Sequence, residues 1–402
     1  MIYFNYILSD DTYMIFTYLK RVLLITILSF SAVVAANPFS NPYQGNVAVG
    51  SFDEAKLKEM ALKQVLVKVS GNSEIGALPE SKLLLKKNQQ MLSQYGYRKI
   101  QGREYYSAVF DKTKINEALH TMQQPVWGDT RPTTLIWLIH HNVLVSENVI
   151  TQNRDVAVSR ALRKTQINRG INVQFPLMDL DDNLAISASD VRGRFYESVA
   201  KASARYSRDQ FVVAELRTIA ADKWRLSWQL VQTKDTSKQH QILISEKFIG
   251  KRSEVTQKMV NTLADYYASQ YAILENQGEK LTQTLHISGV DTLAKVSQLN
   301  TVFKNLYAID SYQVSAVDGN KMSIEVKVNG GLDSFKNALI AQPHLQLDNH
   351  AYIEAETSST ENSELDITEK LASEVTENES AMLTNKDKVE PEKTQPLYFN
   401  WH

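Results

Sequence analysis

The chain has 402 residues, 43% hydrophobic and 22% charged, an ordinary globular composition long enough for two or three units. Its net charge is −1, but Glu354 to His402 holds twelve acidic and four basic side chains, a net of −8 that leaves +7 on the remainder. There is no cysteine, which excludes disulfides, thiol catalysis, thiolate metal sites and the lipidation that anchors a bacterial lipoprotein.

The first segment reads as a leader. In "YLKRVLLITILSFSAVVAANPFS", Lys20 and Arg21 precede an uncharged, mostly apolar run from Val22 to Val34, followed by the small residues Ala35 and Ala36. That is the pattern of a secretory signal peptide over residues 1–36, cleaved after Ala36. The run is shorter than the roughly 20 apolar residues of a spanning helix. Met14 is a better start than Met1, because "MIYFNYILSDDTY" is an acidic prelude unlike a leader. The expected location is the periplasm, with no membrane-spanning segment after cleavage. The alternative is an inner-membrane protein held by an uncleaved leader.

A first α/β unit is expected over residues 37–132. "NVAVGS" reads as a strand, and Ser51 with Glu54 reads as a capping box opening a helix. That helix stops at "VSGN", where Gly71 can take the left-handed conformation. The same three residues, Ser70–Asn72, resemble a catalytic serine motif, but the helix stop is the better reading. A second helix is expected from Ala77 to Gln94, then a strand at "EYYSAVFD" and a helix at "KTKINEALHTM". "PVWGDTRP" must be a turn, since its two prolines and glycine forbid a regular element. "TTLIWLIHH" has the content of a buried strand.

A second α/β unit is expected over residues 133–278. "RDVAVSRALRKTQINRG" is a helix ending at Gly170, "INVQFPLMD" a strand and "SDVRGRFYESVAKASARY" a helix weakened by its glycine. After the strand "FVVAELRTI" comes "KWRLSWQLVQT", where Trp224, Leu226, Trp228 and Leu230 alternate with polar residues. That alternation describes an antiparallel strand with one buried face, paired as a hairpin with "QILISEKFIG". The long helix "SEVTQKMVNTLADYYASQYAILE" closes the unit.

A third unit, residues 279–347, has the order β-α-β-β-α, with Asp318–Gly319–Asn320 as the hairpin turn and Asp333 as a helix N-cap. This is most of a ferredoxin-like split unit. The fold class expected is therefore α/β (α+β). It consists of consecutive small α/β sandwich units with mixed or antiparallel sheets, then the ferredoxin-like unit and a disordered acidic tail over residues 348–402. That tail ends in "LYFNWH". Leu397, Tyr398, Phe399 and Trp401 read as a candidate docking peptide that adds to a sheet edge of this chain or of a partner. The alternative is a frayed end.

No Walker loop, G-x-G-x-x-G, G-x-S-x-G, H-E-x-x-H or S-x-x-K set is present. His140 and His141 are adjacent on a strand and point to opposite faces, and the other histidines are scattered without ligand spacing. Asp179, Asp181 and Asp182 lack the further ligands and glycine of a calcium loop, so "MDLDDN" reads as a strand-to-loop exit. Arg160, Arg163, Lys164 and Arg169 read as a solvated or glycan- or lipid-facing surface rather than a nucleic-acid site. No catalytic, cofactor-binding or metal residue is assigned. Trp127, Arg131 and Trp137 are the candidate interaction residues. They form either a rigid joint between the first and second units, with the Arg131 guanidinium on Trp127, or the lining of a partner groove.

"VLVKVSGN", "YGYR", "YYSAVFD" and "PVWGDTRPTTLIWL", in this order, resemble a family of exported proteobacterial proteins known as domain of unknown function 2066, over Tyr43 to about Leu347. The resemblance rests most on Ser70–Asn72 and Trp127–Pro132. It implies a periplasmic protein of a Gram-negative bacterium and supplies no catalytic residue. The second unit is also similar in element order to small α/β domains of periplasmic envelope-assembly proteins. The function expected is a non-enzymatic binding or adaptor protein in envelope assembly or maintenance, with an unidentified envelope protein or glycan as partner and no nucleic acid. The alternative is a cell-envelope hydrolase whose site is assembled from several units.

Overall fold

The computed structural model describes residues 41–100, 102–129, 131–142, 145–151, 156–206, 210–234, 239–275, 280–348 and 395–402. The leader, the start at Met14 and the tail up to residue 394 lie outside the described residues. The described residues from Asn41 onward belong to one compact unit, and their strands form three sheets. The fold is mixed α/β, as expected.

The first sheet is antiparallel, with β1 (Gln44–Ala48), β2 (Leu92–Ile100) and β3 (Arg103–Phe110) in the order β1-β3-β2. Helix α1 (Glu54–Ser70) lays Leu57, Ala61, Leu62, Val65 and Leu66 into a core with Tyr106, Ala108 and Phe110. The backbones approach so closely that a Cβ on Gly45 would lie 2.4 Å from the Ala61 carbonyl oxygen. The N-cap is Asp53, not Ser51, and its carboxylate accepts from Lys56 N at 2.8 Å. Asp53 directly precedes the first helical residue, where a carboxylate meets both the free N–H groups and the positive helix end. Gly71 stops the helix at φ 74°, as expected.

The helix expected over 77–94 is shorter. Only α2 (Pro79–Lys86) is α-helical, and by Leu92 the chain has become β2. Pairing with β3 overrides the helical preference of the Leu, Lys and Gln content, and Gly96 had hidden the alternation of Tyr95 and Tyr97. Helix α3 (Lys112–Thr121) follows, capped by Asp111.

The second sheet runs β5 (Val145–Val149), β4 (Thr133–Asn142), β7 (Gln210–Ala220), β8 (Lys223–Lys234), β9 (Gln239–Gly250), and β6 (Asn172–Gln174) pairs beside β4. β4 is parallel to β7 and β6; the other pairs are antiparallel. One face carries Leu226, Trp228 and Leu230 against α4 (Val156–Arg169) and α8 (Arg252–Tyr271). The other carries Trp137, Ile139 and Val213 against α6 (Ala188–Gly193) and α7 (Tyr196–Ala204). Both faces of the sheet centre are thus covered, as a parallel β4–β7 pair requires. β8 presents Leu226, Trp228 and Leu230 to one core and, by the same alternation, Val231 to the other.

Three expectations differ here. "INVQFPLMD" is a strand for only three residues, and "MDLDDN" leads into a short helix, α5 (Leu180–Ala185), capped by Asp179. The helix expected over "SDVRGRFYESVAKASARY" is two helices, because Gly193 ends α6 and Arg194 takes φ 57°.

The third sheet contains β10 (Leu281–Ser288), α9 (Leu293–Asn305), β11 (Ile309–Asp318), β12 (Lys321–Val328), α10 (Leu332–Ile340), β13 (Leu345–Leu347) and β14 (Leu397–Trp401). Its order is β11-β12-β10-β14-β13. β13 adds the last strand of the split β-α-β-β-α-β unit. The terminal hexamer then inserts between the first and last strands, parallel to β10 and antiparallel to β13. Asp333 lies in the first turn of α10, and Gly331 holds the N-cap position.

Candidate functional site

The turn "PVWGDTRP" lies where three cores meet. Pro125 and Pro132 keep its ends out of regular structure. Between them Val126 packs into the core under the first sheet, Trp127 into the core under the second, and Val126 pairs with Ile273 of the third core. That pairing is a two-bond backbone bridge, Val126 N to Ile273 O at 2.8 Å and Ile273 N to Val126 O at 2.9 Å. Trp127 N also donates to Val69 O at 2.6 Å.

Arg131 explains the rest of the turn. Its guanidinium carbon sits 4.1 Å from the centre of the Trp127 ring. Its donors reach Lys68 O at 2.8 Å, Gly170 O at 3.0 Å and Trp127 O at 3.1 Å. Lys68 O belongs to the last turn of α1, and Gly170 directly follows α4. Arg169 answers from the other side, donating to Gly71 O at 2.8 Å and to Asp265 at 2.5 Å. Two helix C-termini therefore converge on two arginines, whose positive charge meets carbonyls left unpaired by the helices. Packing is close at both helix ends, and both glycines have positive φ, 74° at Gly71 and 66° at Gly170. A Cβ on Gly71 would lie 2.4 Å from Ala268 Cβ, and one on Gly170 3.1 Å from Arg131 Nη1.

Lys68 is buried beside this pair, and its ammonium donates to Gln44 O. Burial, reinforced by Arg131, pulls its pKa from 10.5 to about 7. Burial also pulls Arg131 down, opposed by Tyr43 and Asp129. Next to Trp127 a pocket lined by Asp129, Tyr271, Tyr307 and Ala338 has about 20 Å³ of free volume, room for one water molecule. Neither Arg131 nor a histidine lines it.

Of the three residues expected to act together, the structure joins Trp127 and Arg131 and separates Trp137. Trp137 points into the core on the opposite face of the second sheet, with its indole N–H on Ser203 Oγ at 2.9 Å. Alternation along β4 sends odd and even positions to opposite faces, so Trp137 and Ile136 cannot share a core. Asp179 and Asp182 are held by Arg205, at 2.5 Å and 2.9 Å. Arg205 draws the Asp179 carboxyl down to about 2. Among the described residues no three His, Asp or Glu side chains gather as a metal site would require.

The hexamer is held on both sides. Leu397, Phe399 and Trp401 point into the third core, all nearly inaccessible. Tyr398 lies on the outer face, its ring stacked on His286 at 5.0 Å. The body is shaped for it: Gln283 Nε2 donates to Gln395 O at 2.6 Å, and a Cβ on Gly289 would lie 2.5 Å from Trp401 O.

One surface escaped the reading by motif. β2 ends the first sheet, and among the described residues its outer side pairs with no strand. Tyr95 and Tyr97, 49% and 51% exposed, flank the buried Tyr106 at 5.7 and 5.6 Å between ring centres. Lys58 lies over Tyr95 at 4.9 Å.

Compared with protein-family models, residues 36–128 match one described as a domain of unknown function, 8605. This is a different family from 2066, and it corrects the resemblance read from the motifs. Ser70–Asn72 and Trp127–Gly128 do fall in the matched segment, which ends within the turn and does not extend to Leu347. The motifs that carried the resemblance have structural roles here: Gly71 ends a helix, Asn72 accepts from Glu74 N and donates to Gln124, and Trp127 stacks with Arg131. No curated protein matches the chain.

Proposed function

We propose that this is a non-enzymatic binding protein of the bacterial envelope. On this reading the leader exports it to the periplasm, where it holds an extended segment of an envelope protein along β2. The observation that carries the reading is the β2 edge itself. Among the described residues it offers backbone donors and acceptors paired with no other strand, beside two half-exposed tyrosine rings on one face. A peptide added there would gain ladder hydrogen bonds and aromatic contact together. Tyrosine suits such a surface because it brings a large apolar ring and a polar tip at low entropic cost. Arg98, Lys99 and Arg103 make this end of the sheet basic, which disfavours pairing with another basic edge and favours an acidic or neutral segment. No helix among the described residues is long and apolar enough to cross a membrane. The hydrolase reading gains no support at Arg131, whose guanidinium is engaged by three carbonyls.

The test is a photoreactive side chain at Tyr97 of the full chain, expressed in a Gram-negative host, with an exposed Glu325 position as control. The expected result is one envelope protein crosslinked at position 97 and absent at 325, and lost when Tyr95→Ser is added. Crosslinks to glycan alone, or equal yields at both positions, reject the peptide-binding edge. Retention of the protein in the cytoplasm rejects the location.

A further inference from the structure

The helices on one face of the second sheet cover only part of it. On the face that carries Trp137 and Val213, the cover of α7 ends at a row of polar side chains. There the Tyr196 hydroxyl donates to Gln229 Oε1 at 2.5 Å, and Gln229 Nε2 donates to Ser245 Oγ at 3.2 Å. Two further rows cross β7, β8 and β9 beyond it. One is Glu215, Ser227 and Lys247; the next is Arg217, Arg225 and Ile249. Alternation places Lys223, the first residue of β8, on this face with Arg225. Arg217, Lys223 and Lys247 are exposed, and so is Ile249, by 48%. Ile219, at the bulge near the end of β7, is 37% exposed beside them. The charges here do not balance: four basic side chains stand with one acidic, a net of +3. Glu215 is already committed to Arg217, at 2.7 Å. Arg217 and Arg225 are direct cross-strand partners, and like charges so placed oppose the sheet. Arg225 Nε is buried and has no hydrogen-bond partner among the described residues. Such a row costs stability unless an anion meets it.

We propose that this open part of the second sheet docks on an anionic phospholipid surface, with Arg217, Lys223, Arg225 and Lys247 facing the phosphates and Ile249 reaching the hydrocarbon beneath. Charge complementarity names an anion, and three features fit a bilayer rather than one phosphate ion. Side chains stand roughly perpendicular to a sheet, so these charges run side by side instead of converging. With about 5 Å between strands and about 7 Å between rows, they spread over about 10 by 14 Å, wider than a single ion. Ile249 and Ile219 are exposed among them, and a bilayer offers phosphates and hydrocarbon together. Each cation near such a surface adds attraction, while a free ion would meet only one or two of the four. This inference is independent of the reading of β2.

The test reads contact at the face itself. The chain has no native cysteine, so Ile249→Cys in the full-length protein takes a nitrobenzoxadiazole fluorophore at one position. Glu325→Cys, at an exposed position of the third sheet, carries the same label as control. Vesicles of phosphatidylglycerol mixed with phosphatidylcholine should brighten and blue-shift the label at 249 and not at 325. Vesicles of phosphatidylcholine alone should do neither, and the response should weaken as salt rises. Lys223→Glu/Lys247→Glu, at two exposed side chains, turns the net charge of the face from +3 to −1. It should weaken the apparent affinity of position 249 for mixed vesicles by about tenfold or more. The same charge change at Lys321→Glu/Lys327→Glu, also exposed, should weaken it by less than about twofold. Equal brightening with neutral vesicles, equal loss in the two double variants, or no response at position 249 overturns the proposal. In the last case, titration with inorganic phosphate separates a small-anion site from a solvated face.

Discussion

Arg131 shows how one side chain can settle a turn. Three carbonyls from three segments point at one planar donor fork, and Trp127 stacks beneath it. An ammonium cannot reproduce that geometry. Arg131→Lys should therefore cost about 2–3 kcal/mol, from two lost charge-assisted bonds and the stack, measured by urea unfolding. A loss below about 0.5 kcal/mol would mean the fork is incidental. Lys68 makes a pH prediction. Its pKa falls from 10.5 unfolded to about 7 folded. Between those values the unfolded chain binds the extra proton, so this group makes stability rise with pH from about 7 to about 10.5. Below about 7 the whole penalty of a buried charge is present. Lys68→Met removes that contribution, so the variant should show a smaller rise in stability between pH 7 and pH 10 than the unaltered protein. Equal slopes in parallel denaturation series would show that Lys68 keeps an ordinary affinity for its proton.

At the scale of elements, pairing partners decide what local preference leaves open. β8 with β9, and β11 with β12, were legible because alternation and a short polar connection both lie within a few residues. β2 was not, because a glycine interrupts its apolar pattern and its partner, β3, is what makes it a strand. The break at Gly193–Arg194 was half legible: the glycine marked weakness, but only the packing of α6 and α7 on the sheet shows where the chain turns. β14 is the extreme case. Its inward residues alternate as in any strand, yet its partner β10 lies more than a hundred positions earlier. Phe399→Ala should cost about 3–5 kcal/mol by cavity formation in the third core. Hydrogen exchange should then quicken in β10 and β13, its two neighbours. Unchanged protection there would mean the strand contributes little to the native sheet.

Across the whole molecule, three sheets share one small joint. Val126, Trp127 and Ile273 belong to three different cores and are neighbours in the chain or across a backbone bridge. Loss at such a point should not stay local. Trp127→Ala should destabilise by about 3–5 kcal/mol, and native-state hydrogen exchange should show reduced protection in strands of all three sheets. A loss confined to the second sheet, the core that Trp127 itself fills, would show that the cores are energetically separate.

The mixed class, the alternating hairpins β8–β9 and β11–β12, the helix stop at Gly71 and the irregular turn at Trp127 were determined by the sequence itself. Each rests on short-range causes: side-chain period, backbone freedom at glycine, and the donor that proline lacks. The tertiary structure decided which strands are neighbours, that Trp137 turns away from Trp127 and Arg131, that Asp53 takes the cap from Ser51, and that the last six residues complete an interior sheet. Those outcomes depend on which of several locally acceptable contacts also bury a shared apolar face. That choice is made between segments far apart in the chain, where no local pattern can record it.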